Sequence, residues 1–238
     1  MKKLLLSLVI MLALNAFAQD AKVITDANAT VRTLNAGFTA VEVSSGINLY
    51  ITQGNAEAIA VSATEQKYQD RIKTEVVNGV LKIYYDNKGV TWKPGDRKLK
   101  AYVSCKTLQS LNTSAGSVTI VIGNIQAENF KLDVGSGSDF TGALQVKTLV
   151  TNVNSGASVK ISGKADKLII DVSSGADFKG YDLVVDFCEA KASSGAEIHV
   201  TINKELSARA SSGADIKYKG TGLIRDIKTS GGGSVKKV

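Results

Sequence analysis

Four acidic residues, Asp139, Asp177, Glu197 and Asp215, each follow a small polar turn phrase: "GSGSD", "SSGAD", "SSGAE" and "SSGAD". Two residues past this position stand Lys160, Lys179, His199 and Lys217, so an acidic row and a basic row run side by side. Carboxylates repeated at one structural position offer three kinds of chemistry. Two of them about 5 to 9.5 Å apart can cleave a glycosidic bond, as acid with nucleophile or base. Two or three oxygens can hold calcium. Or the acids and the neighbouring lysines neutralise each other as a solvated charged face. The third reading is favoured, because the acids belong to the repeating phrase rather than interrupting it. A general acid also needs an apolar pocket to raise its pKa, and the lysine row opposes that. The glycine-and-aspartate nonapeptide of calcium-loaded β-rolls is absent.

Other reactive groups are sparse. Ser155, Ser174, Ser194 and Ser212 precede the glycines, but no GxSxG elbow accompanies them, and turn hydroxyls bonded to the backbone are the expected role. His199 is the single histidine, so it has no second imidazole to help it hold a metal or act as a base. Cys105 and Cys188 form no CxxC or Cys/His pattern. They are read either as a disulfide, which export would permit, or as two buried apolar fillers. No metal or cofactor is expected. A weak binding surface is read instead in aromatic residues: Trp92, in the basic loop "VTWKPGDRK", and the adjacent Tyr84 and Tyr85, one of which must face outward on a strand.

The elements that position these residues are legible from a repeat. Gly137, Gly156, Gly175, Gly195, Gly213 and Gly232 follow one another at 19, 19, 20, 18 and 19 residues. A period near twenty signals a solenoid. Three residues after each glycine stand Phe140, Val159, Phe178, Ile198, Ile216 and Val235, all apolar, flanked by polar residues on both sides. That is the period of two of a strand with one buried face. No amphipathic helical stripe is present to supply βαβ crossovers. The expected fold is therefore all-β, a right-handed parallel β-helix of about 19-residue coils over 106–238. Gly46, Gly137, Gly156, Gly175, Gly195 and Gly213 are its structural turns. Residues 30–105 read as an irregular β-rich N-terminal cap, continuous with the solenoid, with a hairpin at Asn78-Gly79. Lys236 and Lys237 are expected to blunt the opposite edge.

Residues 1–18 read as a signal peptide: Lys2 and Lys3, a short apolar core, and "AFA" ending at Ala18. Residues 19–29 are expected to be a flexible mature N-terminus. No later segment is apolar enough to span a bilayer. Cleavage lowers the formal net charge from +7 by two lysines, with no basic run, so nucleic acid is not an expected partner.

The order "VSSGINLYITQG" (with Gly46-Ile47-Asn48), "NGVLKI", then Ser/Gly repeats from Ser114 onward resembles the secreted head domains named for a Gly-Ile-Asn motif. These are the auto-transporter adhesin head domains frequent in Bacteroidetes, and the resemblance covers about residues 30–235. It implies a β-helical fold and a role in adhesion, and it brings no catalytic residues to map. The expected function is a non-catalytic secreted or cell-envelope protein that binds a glycan or an envelope or host surface protein, or serves as a scaffold. A polysaccharide lyase or glycoside hydrolase working on the carboxylate face is the alternative.

Overall fold

The computed structural model describes residues 26–89 and 97–238. Strands β1 (Thr30–Arg32), β2 (Ala40–Val43), β3 (Asn48–Gln53) and β4 (Ala58–Ser62) lead to one helical turn, α1 (Gln66–Gln69). A hairpin of β5 (Ile72–Val77) and β6 (Val80–Tyr85) follows, then β7 (Lys100–Cys105) and β8 (Ser110–Thr113). Five long strands then each run through most of a coil: β9 (Val118–Val134), β10 (Asp139–Val153), β11 (Ser158–Val172), β12 (Asp177–Ala192) and β13 (Glu197–Ser211). The chain ends with β14 (Asp215–Lys219), β15 (Leu223–Ser230) and β16 (Ser234–Lys237). All pair into one 16-stranded sheet wound as a parallel β-helix, with antiparallel strands only at its N-terminal end.

Register follows the glycine spacing. Phe140, Val159, Phe178, Ile198 and Ile216 are successive Cα partners, and all five are buried. Coil by coil, the rest of the core is built the same way from alternate residues, such as Leu168, Ile170 and Val172 beneath Cys188, Ala190 and Ala192. Two inward positions in one strand share space. Where Phe140 and Phe178 fill the first, Gly142 and Gly180 stand at the second, and a Cβ on Gly180 would lie 2.4 Å from the Phe178 ring. Where the first is Val159 or Ile198, the second is Ile161 or Val200. These four coils thus hold either one ring and no side chain, or two aliphatic side chains, whereas β14 sets Ile216 beside the buried Tyr218.

The repeated phrase forms a tight corner with two consecutive residues at positive φ, for example Ser174 (56°) and Gly175 (68°). Eight such corners stack, from Ser45-Gly46 to Gly231-Gly232. Each corner amide donates to the carbonyl of the next: Gly156 to Ser174 (3.0 Å), Gly175 to Ser194 (3.0 Å) and Gly195 to Ser212 (3.0 Å). The hydrogen-bond ladder therefore passes through the turns without a gap. Ser155, Ser174, Ser194 and Ser212 are exposed, and their hydroxyls bond to nothing among the described residues. The expected side-chain ties are absent, and the backbone itself does that work.

At the N-terminal end, chain order and stacking order part. β2 pairs in parallel with both β6 and β8, and β3 with both β7 and β9. The coil Ala40–Gln53 is thus inserted between strands that come later in the chain. Beyond it, β5 closes one edge antiparallel to β6, and β4 and β1 close the other. Gln69 of α1 is buried there, donating to the Val61 carbonyl (3.1 Å) and to Thr30 Oγ1 (2.6 Å).

Candidate functional site

The charged rows lie on the outward side of the strands that follow the corners. Asp139, Ser158, Asp177, Glu197, Asp215 and Ser234 are consecutive register partners. So are Lys160, Lys179, His199, Lys217 and Lys236. The register runs unbroken through Asp177, Glu197 and Asp215.

Glu197 is the hub of this face. Lys217 donates to it from the next coil (2.5 Å), and the His199 ring lies at 2.9 Å in its own. The Lys217 hydrogen bond, with help from His199, holds the Glu197 carboxyl below the usual range against a smaller opposing effect of burial. A glycosidase acid needs the opposite shift. Lys179 pairs with Asp177 (2.7 Å), which raises the lysine, and Ser234 donates to Asp215. His199 also stacks on Tyr181 (4.7 Å between ring centres, 7° between planes), with Lys219 on that ring at 4.3 Å. Among the described residues, no group of three metal-ligating side chains occurs.

Further up the same face, the basic row gives way to a largely apolar column. Tyr102 and Tyr50 stack (5.3 Å, 15°), and Ile120 continues their column. Asp26 anchors the outer end. Its side chain, 13% exposed, accepts from Tyr102 Oη (2.7 Å), Ser62 Oγ (2.7 Å) and Lys100 Nζ (3.3 Å). Burial alone would raise this carboxyl, but those donors and the Asn28 amide outweigh it and hold its pKa at about 2. Within the stretch read as a flexible start, residues 26–29 are therefore tied to the sheet. A carboxyl lowered from 3.8 stabilises the fold above that value and loses its effect as the pH falls through about 2. After allowance for solvent screening, Asp26→Asn is expected to cost about 1 kcal/mol at neutral pH. Denaturant titrations from pH 5 to about pH 2 should show the wild type losing that increment and the variant not.

A second face carries a groove that sequence reasoning missed. The outward residues of β12, β13 and β15 line a shallow depression of about 510 Å³ that includes Phe187, Glu189, Lys191, Glu205, Arg209 and Arg225. Phe187 is 45% exposed, and Lys204 lies over its ring at 5.4 Å. Around it, Lys167 pairs with Glu189 (2.7 Å) and Arg225 with Glu205 (2.8 Å). A signal was present: in "VVDFCEAKA", Cys188, Ala190 and Ala192 take the inward phase, so an aromatic at 187 falls where the repeat puts polar residues.

The aromatic candidates separate. Tyr84 faces outward and donates to Glu75 (3.1 Å). Tyr85 is 4% exposed, with Arg97 over its ring at 5.0 Å, so it belongs to the cap core and is removed from the surface reading. Its phase with Leu81 and Ile83 explains this. Trp92 lies outside the described residues. Cys105 and Cys188 are both buried and unpaired, and burial pushes each thiol up to about 12, so they serve as apolar fillers. Among the described residues no helix is long and apolar enough to cross a membrane.

A family model described as "Putative auto-transporter adhesin, head GIN domain" matches residues 37–222. Among solved structures, a "putative adhesin" from Bacteroides fragilis is similar over 88% of this chain and 96% of its own, at 16% identity and a TM-score of 0.79. A "putative lipid binding protein" from Parabacteroides distasonis matches over 89% and 97%, at 20% identity and a TM-score of 0.68. A "putative adhesin" from Parabacteroides merdae matches over 89% and 96%, at 14% identity and a TM-score of 0.69. At these identities the likeness is one of fold. No curated protein matches significantly.

Proposed function

Since the chain belongs to the head GIN domain family, we propose that it is a non-catalytic exported protein that binds a glycan, or an envelope or host surface protein, through the flank of its solenoid. Export through residues 1–18 would deliver it to the periplasm, the outer surface or the medium. The observation that carries this reading is the contrast between the two faces. On the first, Asp177 and Glu197 are each bonded to a lysine, Asp215 accepts from Ser234, and Glu197 is shifted away from general-acid behaviour. On the second, an exposed aromatic ring stands in a groove with both signs of charge around it. A sugar ring stacks on such a platform while charged side chains take its hydroxyls. Tyr84 would extend the contact toward the cap, and Trp92 is proposed as a further aromatic contact.

Glycan-array and envelope-extract binding of the exported chain tests the proposal. Phe187→Ala is expected to weaken the strongest signal about tenfold, as truncation of a stacking aromatic does, with Trp92→Ala as the comparison for the cap loop. Equal binding by the Phe187 variant would remove the groove from the proposal. Absence of any bound glycan or protein would leave a structural role in the envelope.

A further inference from the structure

The two ends of the solenoid are finished differently. At the N-terminal end, antiparallel strands cover the last parallel ones. At the C-terminal end the inward residues of the final coil are uncovered. Leu206 and Ala208 of β13 are each 1% exposed, whereas their register partners on β15, Ile224 and Ile227, are 50% and 37% exposed. Leu223 beside them is 77% exposed.

The two strands at this end are not equally open. On β16, Lys237 takes the inward phase opposite Tyr218. An inward-phase charge on an edge strand opposes further pairing. β15 has no such guard, since its inward residues are Ile224, Ile227 and Thr229, the partners of Leu206, Ala208 and Ala210. Between the isoleucines the register steps from Leu206–Ile224 to Ser207–Asp226. Arg225 is the extra residue of a bulge, and it faces out with Asp226, bonded to Glu205.

We propose that β15 is the docking edge for a second copy of this chain, the two strands pairing antiparallel about a twofold axis. In the register that sets Ile224 opposite Ile227 of the second copy, Arg225 lies opposite Asp226, and the axis repeats both pairs. A slip of one residue in one direction sets Arg225 against Arg225. A slip in the other sets Asp226 against Asp226. Charge therefore selects one register out of three, and it is the one that joins the two open ends of the apolar core. Arg225 has donors enough to keep Glu205 and reach the second Asp226. Such a pairing is isologous and closes on itself, so it ends at a dimer rather than a fibre.

Sedimentation equilibrium of the exported protein between about 1 and about 100 µM reads the proposal directly. A dimer is expected within that range. Ile227→Lys, which puts on β15 the inward charge that β16 already carries, should leave a monomer. Arg225→Asp should raise the dissociation constant about tenfold by facing two acids. The swap Arg225→Asp with Asp226→Arg should restore it, with circular dichroism checking that each variant is folded. A wild-type monomer at every concentration overturns the proposal, whatever other strand binds there. So does a dimer indifferent to Ile227→Lys or to the charge swap.

Discussion

Replacing Gly163 by alanine is expected to destabilise the protein by about 4 kcal/mol and lower its melting temperature by about 10 °C. Gly163 has φ of 110°, a region that residues with a side chain scarcely enter. A Cβ there would lie 2.0 Å from the Leu144 carbonyl oxygen of the preceding coil. Neither atom can retreat, because Leu144 and Gly163 are partners in the parallel ladder. The corner has to open, which breaks pairing between β10 and β11 in mid-solenoid. Gly220, with φ of 98° and an Ile202 oxygen 2.2 Å from where a Cβ would lie, occupies the equivalent situation near the C-terminal end. Its substitution should cost less, since fewer coils lie beyond it. Chemical denaturation of Gly163→Ala, Gly220→Ala and a surface control such as Lys164→Ala measures the order. A loss under about 1 kcal/mol for Gly163→Ala would show that the corner relaxes freely.

The second large effect is a coupling. Gly180→Val alone should cost about 3 kcal/mol, because the new side chain meets the Phe178 ring and the His199 carbonyl oxygen, the latter 2.9 Å from its Cβ. Phe178→Ile alone should also destabilise, by leaving a void where the ring was. Together they recreate the Ile198 and Val200 arrangement of the next coil, so the double variant should recover about 2 kcal/mol relative to the sum. Full additivity in the double-mutant cycle would mean that the ring is not the obstacle, and that Gly180 is required by the backbone bulge between Gly180 and Val184.

The coils were legible because a strand buried on one face writes its period of two into the residue types. Phe140, Val159 and Phe178 could be aligned from their distance to a glycine alone, and the acidic and basic rows came with them. Gly163 and Gly220 escaped because they serve the second corner, where coils differ in how they turn and β12 sets Leu183 opposite Gly163. The insertion of Ala40–Gln53 between later strands was invisible for a different reason. Parallel pairing asks only that inward residues meet inward residues, and Val41 satisfies Leu81 and Leu111 equally well. Phe187 was read past because an outward aromatic on an otherwise polar phase looks, by itself, like ordinary variation. Asp26 lies outside the repeat, and only its three donors, brought from positions 62, 100 and 102, give it a role.

That inserted coil sets the order in which the molecule can assemble. Both walls of Ala40–Gln53 are made of chain that emerges afterwards, and the Ile47 amide waits for Ser117, 70 residues on. The rungs of the regular solenoid need only a neighbour about 19 residues away, a shorter loop to close. The first coil therefore closes only once strands β6 to β9 are available, like a keystone set after the walls beside it. A leading segment that cannot lock until its followers arrive stays threadable, which would suit the export proposed above.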